Sequence, residues 1–200
     1  MLFRSLSRNK DSLSMTYMDQ LKEAYDTVDK DAIEKFYQVL KLGYTAMFFG
    51  NGGSAAISNH AVTDFTKGIA ESNSDHTFEA ISLCCNVPLI TAISNDIGYE
   101  YIFSRQMKYS DLQYATAIAI SSSGNSKNIV EGLKYANSRH YTTVALVGFE
   151  GGEVIKQSLA DVIIHVKSKN YGIVEDCHMA ILHDMSQRYV RDINIIRDTY

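Results

Sequence analysis

The chain has 200 residues, of which 46% are apolar and 21% charged, and its net charge is −4 at pH 7. These values fit one globular domain, argue against a nucleic-acid partner, and leave no apolar stretch long enough to span a membrane. The odd number of cysteines (Cys84, Cys85 and Cys177) and the lack of a signal-peptide core in the first residues predict reduced thiols and a cytoplasmic location.

Residues 1–43 are predicted to form a helical extension ahead of the first strand. Apolar side chains recur at helical spacing in two segments, Met15, Met18, Leu21, Tyr25 and Val28, and then Ile33, Phe36, Tyr37, Val39 and Leu40. A doubly wound sheet does not need helices at this place to cover it, so the apolar stripe predicts packing between subunits. The alternative is that these helices only pack against their own domain and make no contact with another subunit.

Strands and helices alternate through the rest of the chain. Five apolar runs predict strands at residues 45–50, 78–83, 114–120, 142–147 and 162–166. Helical segments are predicted at 54–66, 87–94, 99–107, 127–138, 151–158 and 173–195, and the polar residues 68–77 are predicted to form a loop. This alternation predicts a three-layer α/β/α sandwich with a central parallel sheet, and a single domain spanning residues 1–200.

A glycine-rich loop, Gly50–Ser54, follows the first predicted strand and leads directly into a helix. Free backbone N–H groups and the helix dipole favour an anion such as phosphate at this position. One turn or more into the helix, His60 and Asp64 are spaced i, i+4 and so lie on one face. An imidazole beside a carboxylate suits a divalent metal or acid–base chemistry.

A serine-rich loop, residues 121–126, repeats this arrangement after the predicted central strand. The hydroxyls of Ser121, Ser122, Ser123 and Ser126 and a helix N-terminus could all donate to phosphate oxygens. The alternative is that Ser126 only caps the helix and the others form a turn. A dinucleotide fingerprint, G-x-G-x-x-A, also starts at Gly50, but the second strand ends without the acidic residue that it requires.

Three motifs together resemble the sugar isomerase (SIS) family and, within it, the phosphoheptose isomerases: Gly50–Ser54 with His60, Ser94–Tyr99, and Ser121–Ser126. The resemblance implies an enzyme that interconverts sedoheptulose 7-phosphate and D-glycero-D-manno-heptose 7-phosphate through an enediol, in heptose biosynthesis for surface polysaccharide. It also implies one Zn²⁺ per subunit and a homotetramer with active sites at subunit interfaces.

The resemblance assigns roles to individual residues. It implies metal ligation by His60, Asp64, Glu175 and His183, with Asp64 as the catalytic base and His183 as the acid. It implies substrate binding by Asn51, Gly52, Gly53, Ser54, Asp64, Asn95, Asp96, Ser121, Ser122, Ser123, Ser126 and Glu175. Two positions depart from the family pattern, since this chain has Asp64 in place of a glutamate and Glu175 in place of a glutamine.

The implied metal set raises a geometric difficulty. Glu175 and His183 are eight residues apart, which is about 12 Å along one helix, whereas ligands of one zinc lie about 2 Å from the metal. Either Glu175 precedes the regular helix or one of the two ligands comes from another subunit. His178, three residues after Glu175, is the rival ligand to His183.

Two other functions stay open. One is a non-catalytic SIS tetramer that works as an interaction platform, because residues 149–153 are similar to a relative that binds the bacterial replication initiator. The other is an isomerase of a different sugar phosphate. A pure adaptor would not need an acidic residue four positions after His60 together with a late histidine, so the sequence favours the enzyme.

Overall fold

The computed structural model describes residues 15–72 and 76–199, with side chains described as far as residue 194. The first fourteen residues of the predicted N-terminal extension, and residues 73–75 of the predicted loop, lie outside the described residues. The sheet has five strands, β1 Thr45–Gly50, β2 Ala80–Ser82, β3 Ala115–Ser121, β4 Thr142–Val147 and β5 Val162–His165. All neighbouring pairs are parallel, in the order β2-β1-β3-β4-β5.

Helices connect and cover these strands. Ahead of β1 are α1 Tyr17–Asp26 and α2 Lys30–Leu40, and after it come α3 Gly53–Thr63, a π-helical segment Asp64–Gly68 and α4 Ile69–Ser72. Beyond β2 lie α5 Val87–Asp96, a 3₁₀ turn Tyr99–Tyr101, α6 Ile102–Ser110, α7 Lys127–Ser138, α8 Gly152–Lys156 and α9 Tyr171–Thr199.

The sheet is buried on both faces, which confirms the predicted three-layer α/β/α sandwich. β1 and β3 are buried at every position, as expected for central parallel strands with apolar residues throughout. Because side chains alternate along a strand, Phe48 points into a core with α2, α3 and α9, and Phe49 points into a second core with α6 and α7. In the part of the chain that the structure describes, no helix is long and apolar enough to cross a membrane.

The two N-terminal helices have different environments. α2 packs against β5, and its Phe36 and Leu40 are almost fully buried within this chain. The expectation that the sheet does not need these helices is therefore wrong for α2, which covers the edge of one face beside α9. α1 packs on α9 but leaves Met15, Tyr17 and Met18 exposed, with Met18 at 66%. α1 thus presents exposed apolar side chains, as do Val87 and Tyr114 elsewhere in the described chain.

The helix after β1 is longer than the sequence predicts. The chain stays helical through Ser72, by way of the π-helical segment, where residues 68–77 were expected to form a loop. Phe65 and Ile69 are fully buried in the core, and their burial holds the segment in a helix although its composition is polar. Local propensity is outweighed here by tertiary packing.

Candidate functional site

The candidate site lies at the carboxyl ends of β1 and β3. These two strands are neighbours, and their connections run to opposite sides, from β1 to the edge strand β2 and from β3 to β4. Such a switch in strand order opens a crevice where open α/β sheets bind ligands. Gly52 (φ +56°) turns the chain at one wall of the crevice and Gly124 (φ +63°) at the other, in a region of backbone conformation that favours glycine.

The glycine-rich and serine-rich loops enclose a cavity of about 150 Å³ at this crevice, which we call the serine-lined cavity. Seven of the side chains assigned to the substrate line it, together with Ile120 and Tyr171: Asn51, Ser54, Ser121, Ser122, Ser123, Ser126 and Glu175. Of the described residues that line the cavity, none is a lysine or arginine, and Glu175 is the single ionisable carboxylate. An anion would thus be held mainly by neutral donors.

Donors converge on this cavity from two helices. α3 begins at Gly53 and α7 at Lys127, so unpaired backbone N–H groups of both first turns lie at the crevice. Ser126 is the N-cap of α7, yet its hydroxyl makes no capping hydrogen bond within the described structure. The Ser122 hydroxyl is buried and has no partner among the residues described. These two hydroxyls are therefore free to donate to a ligand, which disfavours the interpretation of Ser126 as a cap alone.

Two further residues belong to this site, and the sequence analysis assigned a role to neither, although Tyr99 ends the motif Ser94–Tyr99. Asn128 is 1% exposed and exchanges two side-chain hydrogen bonds with Asn51, of 2.8 and 2.9 Å. The Tyr99 hydroxyl donates to Asn51 Oδ1 at 2.9 Å. A polar side chain in the first turn of a helix is common, so Asn128 carried no sequence signal, and the motif that contains Tyr99 does not show which residue its hydroxyl contacts.

A second cluster lies further along α3 and α9. His183 Nδ1 is 2.7 Å from Asp64 Oδ2, and His60 Nε2 is 3.5 Å from Asp64 Oδ1. The two imidazole rings are perpendicular, with their centroids 5.1 Å apart. We call these three residues the His60–Asp64–His183 cluster. Asp64 opens the π-helical segment, and such segments are frequent at functional sites.

The His60–Asp64–His183 cluster fits a divalent metal. One potential ligand atom from each residue lies within 4.8 Å of the other two. Two imidazoles and one carboxylate, with a further position left open, are the donor set of many catalytic zinc sites. An open cavity of about 400 Å³, lined by Asp64, His183 and Arg191 among others, adjoins the cluster.

Glu175 does not join this cluster within one chain. It lies in the regular part of α9, so the alternative in which it precedes the helix is wrong. Its carboxylate is packed against the Cα of Gly53, where a Cβ atom would overlap it. Glu175 thus lies beside the N-terminus of α3 and at the serine-lined cavity, about two helical turns from His183.

His178 is a core residue. It is fully buried, and neither ring nitrogen has a well-formed hydrogen bond among the described residues. Burial lowers the pKa of His178 to about 4, and a backbone contact with Val147 acts in the opposite direction. The ring therefore stays neutral at pH 7, packed between α9 and β4, and lies apart from His60, Asp64 and His183.

Asn95 and Asp96 also stand apart from the cavity. Both are exposed at the end of α5, where the Asn95 amide donates to the Asp96 carboxylate at 2.8 Å. The described lining of the cavity includes neither of them. Tyr99, three residues after Asp96, connects their segment to the glycine-rich loop through its hydrogen bond to Asn51.

The same two helices carry both ends of the site. α3 and α9 pack together, with Gly53 against Glu175 at one end and Asp64 against His183 further along. His60 is seven residues beyond Gly53, which is about 10 Å of helix. The arrangement offers anion binding at one place and metal or acid–base chemistry about 10 Å away.

Comparisons with known proteins identify the family and the fold. The SIS domain family model matches residues 14–148. A probable phosphoheptose isomerase of Thermoplasma acidophilum is 35% identical over 150 residues, covering 75% of this chain and 80% of the relative. The phosphoheptose isomerase of Shewanella frigidimarina is 34% identical over 182 residues, covering 89% and 91%. The solved structure of phosphoheptose isomerase from Neisseria gonorrhoeae has a TM-score of 0.75 and 26% identity, covering 88% of this chain and 92% of that chain.

Proposed function

The chain belongs to the SIS domain family, in its phosphoheptose isomerase branch, and we propose that it interconverts sedoheptulose 7-phosphate and D-glycero-D-manno-heptose 7-phosphate with the help of Zn²⁺. The observation that carries this proposal is the separation of the serine-lined cavity from the His60–Asp64–His183 cluster. In a heptose 7-phosphate the phosphate and the reacting carbons are at opposite ends of the carbon chain. Such a substrate needs an anion site and an acid–base site about this far apart.

The phosphate end would be held by Ser122 and Ser126 hydroxyls and by the N-termini of α3 and α7. These donors are fixed before a ligand arrives, because the loops are anchored to β1 and β3 on a buried sheet. Binding energy gained at this end can orient the remote carbons at the cluster.

Proton transfer at the other end would use Asp64 and His183. In the first half of the reaction Asp64 takes a proton from C1 of the ketose and His183 protonates the C2 oxygen, which gives the enediol. In the second half the C1 hydroxyl gives its proton back to His183 and Asp64 delivers its proton to C2. The 2.7 Å hydrogen bond between the two side chains fixes their relative orientation. When bound by His60, Asp64 and His183, zinc would supply polarisation of the carbonyl and hydroxyl oxygens.

The replacement of the family's glutamate by Asp64 is compatible with this role. Although Asp64 is one methylene shorter, its two oxygens lie 3.5 Å from His60 Nε2 and 2.7 Å from His183 Nδ1. Both histidines are therefore within its reach.

We also propose that the protein forms a homotetramer with one zinc per subunit and with active sites at subunit interfaces. The exposed apolar side chains of α1 supply a surface for assembly. We propose a cytoplasmic enzyme that serves heptose biosynthesis for surface polysaccharide. The interaction-platform alternative gives no role to the His60–Asp64–His183 cluster.

The proposal is tested by assaying the purified protein with sedoheptulose 7-phosphate after chelation and after zinc is added back. We expect turnover that chelation abolishes and zinc restores. Turnover of a different sugar phosphate in its place would favour the second isomerase hypothesis. If neither heptose turnover nor bound metal is found under any condition, the proposal is wrong.

A further inference from the structure

Asn51, in the glycine loop, is held by side chains from two other parts of the chain. Its Oδ1 accepts hydrogen bonds from the Tyr99 hydroxyl and from Asn128 Nδ2, each 2.9 Å long. Its Nδ2 donates to Asn128 Oδ1 at 2.8 Å. Both lone pairs of the oxygen are thus used, and one of the two Nδ2 hydrogens is left. Since Asn51 lines the serine-lined cavity, that hydrogen is available to a ligand there.

Asn128 couples the two loops that form the cavity. It is the second residue of α7, two positions after Ser126, and its side chain is almost fully buried. A buried amide of this kind is stable only when its hydrogen bonds are made, so the reciprocal pair with Asn51 ties the start of α7 to the glycine loop. A shift of either loop would break the pair.

Tyr99 brings a third segment to the same amide. It follows Gly98, whose φ of +141° lets the chain turn back after α5, and its side chain is 54% exposed. The ring is therefore not held by burial, and its hydroxyl contact with Asn51 is what fixes it to the site. This contact links the segment that contains Asn95 and Asp96 to the cavity.

We propose that Tyr99 and Asn128 are positioning residues that orient the Asn51 amide as a donor to the phosphate group of the substrate. The inference rests on the proposed function only in taking the bound anion to be the substrate's phosphate. Neither residue touches the reacting carbons, which are at the His60–Asp64–His183 cluster about 10 Å away. Their loss should therefore weaken binding and leave the chemical step unchanged.

The test compares Tyr99→Phe with Tyr109→Phe, because both tyrosines are 54% exposed and the substitution removes only the hydroxyl. Binding of inorganic phosphate to the full-length protein is measured by calorimetry. We expect Tyr99→Phe to weaken binding about three- to tenfold, the effect of one hydrogen bond, and Tyr109→Phe to leave it unchanged. With sedoheptulose 7-phosphate, KM should rise by the same factor at constant kcat.

To test whether Tyr99 acts on phosphate binding through Asn51, we repeat Tyr99→Phe in an Asn51→Ala background. We expect no further loss of phosphate affinity there, and the same result when Asn128→Ala is introduced in place of Tyr99→Phe. An equal effect of Tyr99→Phe in both backgrounds, or no phosphate binding by the unmodified protein, would overturn the inference. Phosphate binding that depends on Tyr99 without heptose turnover would support it and count against the proposed function alone.

Discussion

At the scale of single residues, the serine-lined cavity contains a charge that opposes its ligand. Glu175 is half-buried there, beside the N-terminus of α3, and the described lining has no cationic side chain to balance it. The positive end of the α3 dipole lies beside this carboxylate and stabilises its negative charge. A phosphate must then bind next to a negative charge, which weakens the attraction.

We therefore expect Glu175→Gln to tighten phosphate binding. Removing one negative charge a few ångströms from a bound anion at a partly solvated site is worth on the order of 1 kcal/mol, or about fivefold in affinity. Calorimetry with inorganic phosphate measures the change, and Glu150→Gln, at an exposed residue that pairs with Lys169, is the matched control. Unchanged or weaker binding in Glu175→Gln would mean that the carboxylate makes a favourable contact with the anion.

The buried ring of His178 makes stability depend on pH. Its pKa in the folded chain is about 4, below the usual 6.5, so between these values the unfolded chain binds a proton that the folded chain does not. The stability contributed by the neutral ring is present above pH 6.5 and is lost as the pH falls towards 4. The full difference is about 3 kcal/mol.

Replacing His178 by Leu should remove this dependence. The free energy of unfolding is measured with urea, in the presence of a chelator, at pH 7 and at pH 4.5. We expect its decrease between these two pH values to be about 2–3 kcal/mol smaller in His178→Leu than in the unmodified protein. His140→Asn is the control, since His140 is exposed and asparagine tolerates its φ of +58°. The same acid sensitivity in His178→Leu would show that the ring does not carry it.

Some of these residues could be predicted and others could not. The serine hydroxyls follow directly from a hydroxyl-rich loop at the end of a strand, and His60 with Asp64 follow from helical spacing. The partner of Asn51 could not be found this way, because Asn128 is 77 residues away and looks like any polar residue in a first helical turn. The separation of Glu175 from His183 did follow from helix geometry once both lay in α9.

At the scale of elements, the sequence predicts strands better than the helix after β1. β4 and α7 occupy the predicted ranges, because apolar runs and amphipathic spacing there agree with the final packing. The π-helical segment has no such signal, since its extra residue per turn depends on the burial of Phe65 and Ile69. It nevertheless decides where Asp64 points.

The serine loop depends on one glycine. Gly124 has a φ of +63°, and a Cβ atom there would overlap the backbone carbonyl of Gly151. We expect Gly124→Ala to destabilise the protein by about 2 kcal/mol and to weaken phosphate binding, because the backbone itself must move. Urea denaturation and calorimetry measure the two effects.

Gly68→Ala is the matched control for this prediction. Gly68 lies in the π-helical segment, and a Cβ atom there meets nothing within 4 Å. Alanine at a helical position should be neutral or stabilising by up to about 1 kcal/mol. Equal stability of the two variants would contradict the importance assigned to the turn at Gly124.

At the scale of the whole molecule, one pair of parallel helices sets the distance between binding and chemistry. α3 and α9 both begin at the crevice and both carry the His60–Asp64–His183 cluster further along, so a fixed length of helix separates the proposed phosphate site from the proposed site of proton transfer. The fold class and the crevice could be predicted from the alternation of strands and helices. The arrangement of subunits could not, since an exposed apolar stripe on α1 does not specify what covers it.

If binding and chemistry are separate along these helices, Asp64→Asn should affect the chemical step and leave substrate binding nearly unchanged. The measurement is kcat for sedoheptulose 7-phosphate with zinc present, together with the dissociation constant of the same substrate by calorimetry. We expect kcat to fall by about 10²- to 10⁴-fold, the usual effect of removing a general base, while the dissociation constant changes less than about threefold. Retention of more than about a tenth of kcat, or a loss of binding as large as the loss of rate, would contradict the account.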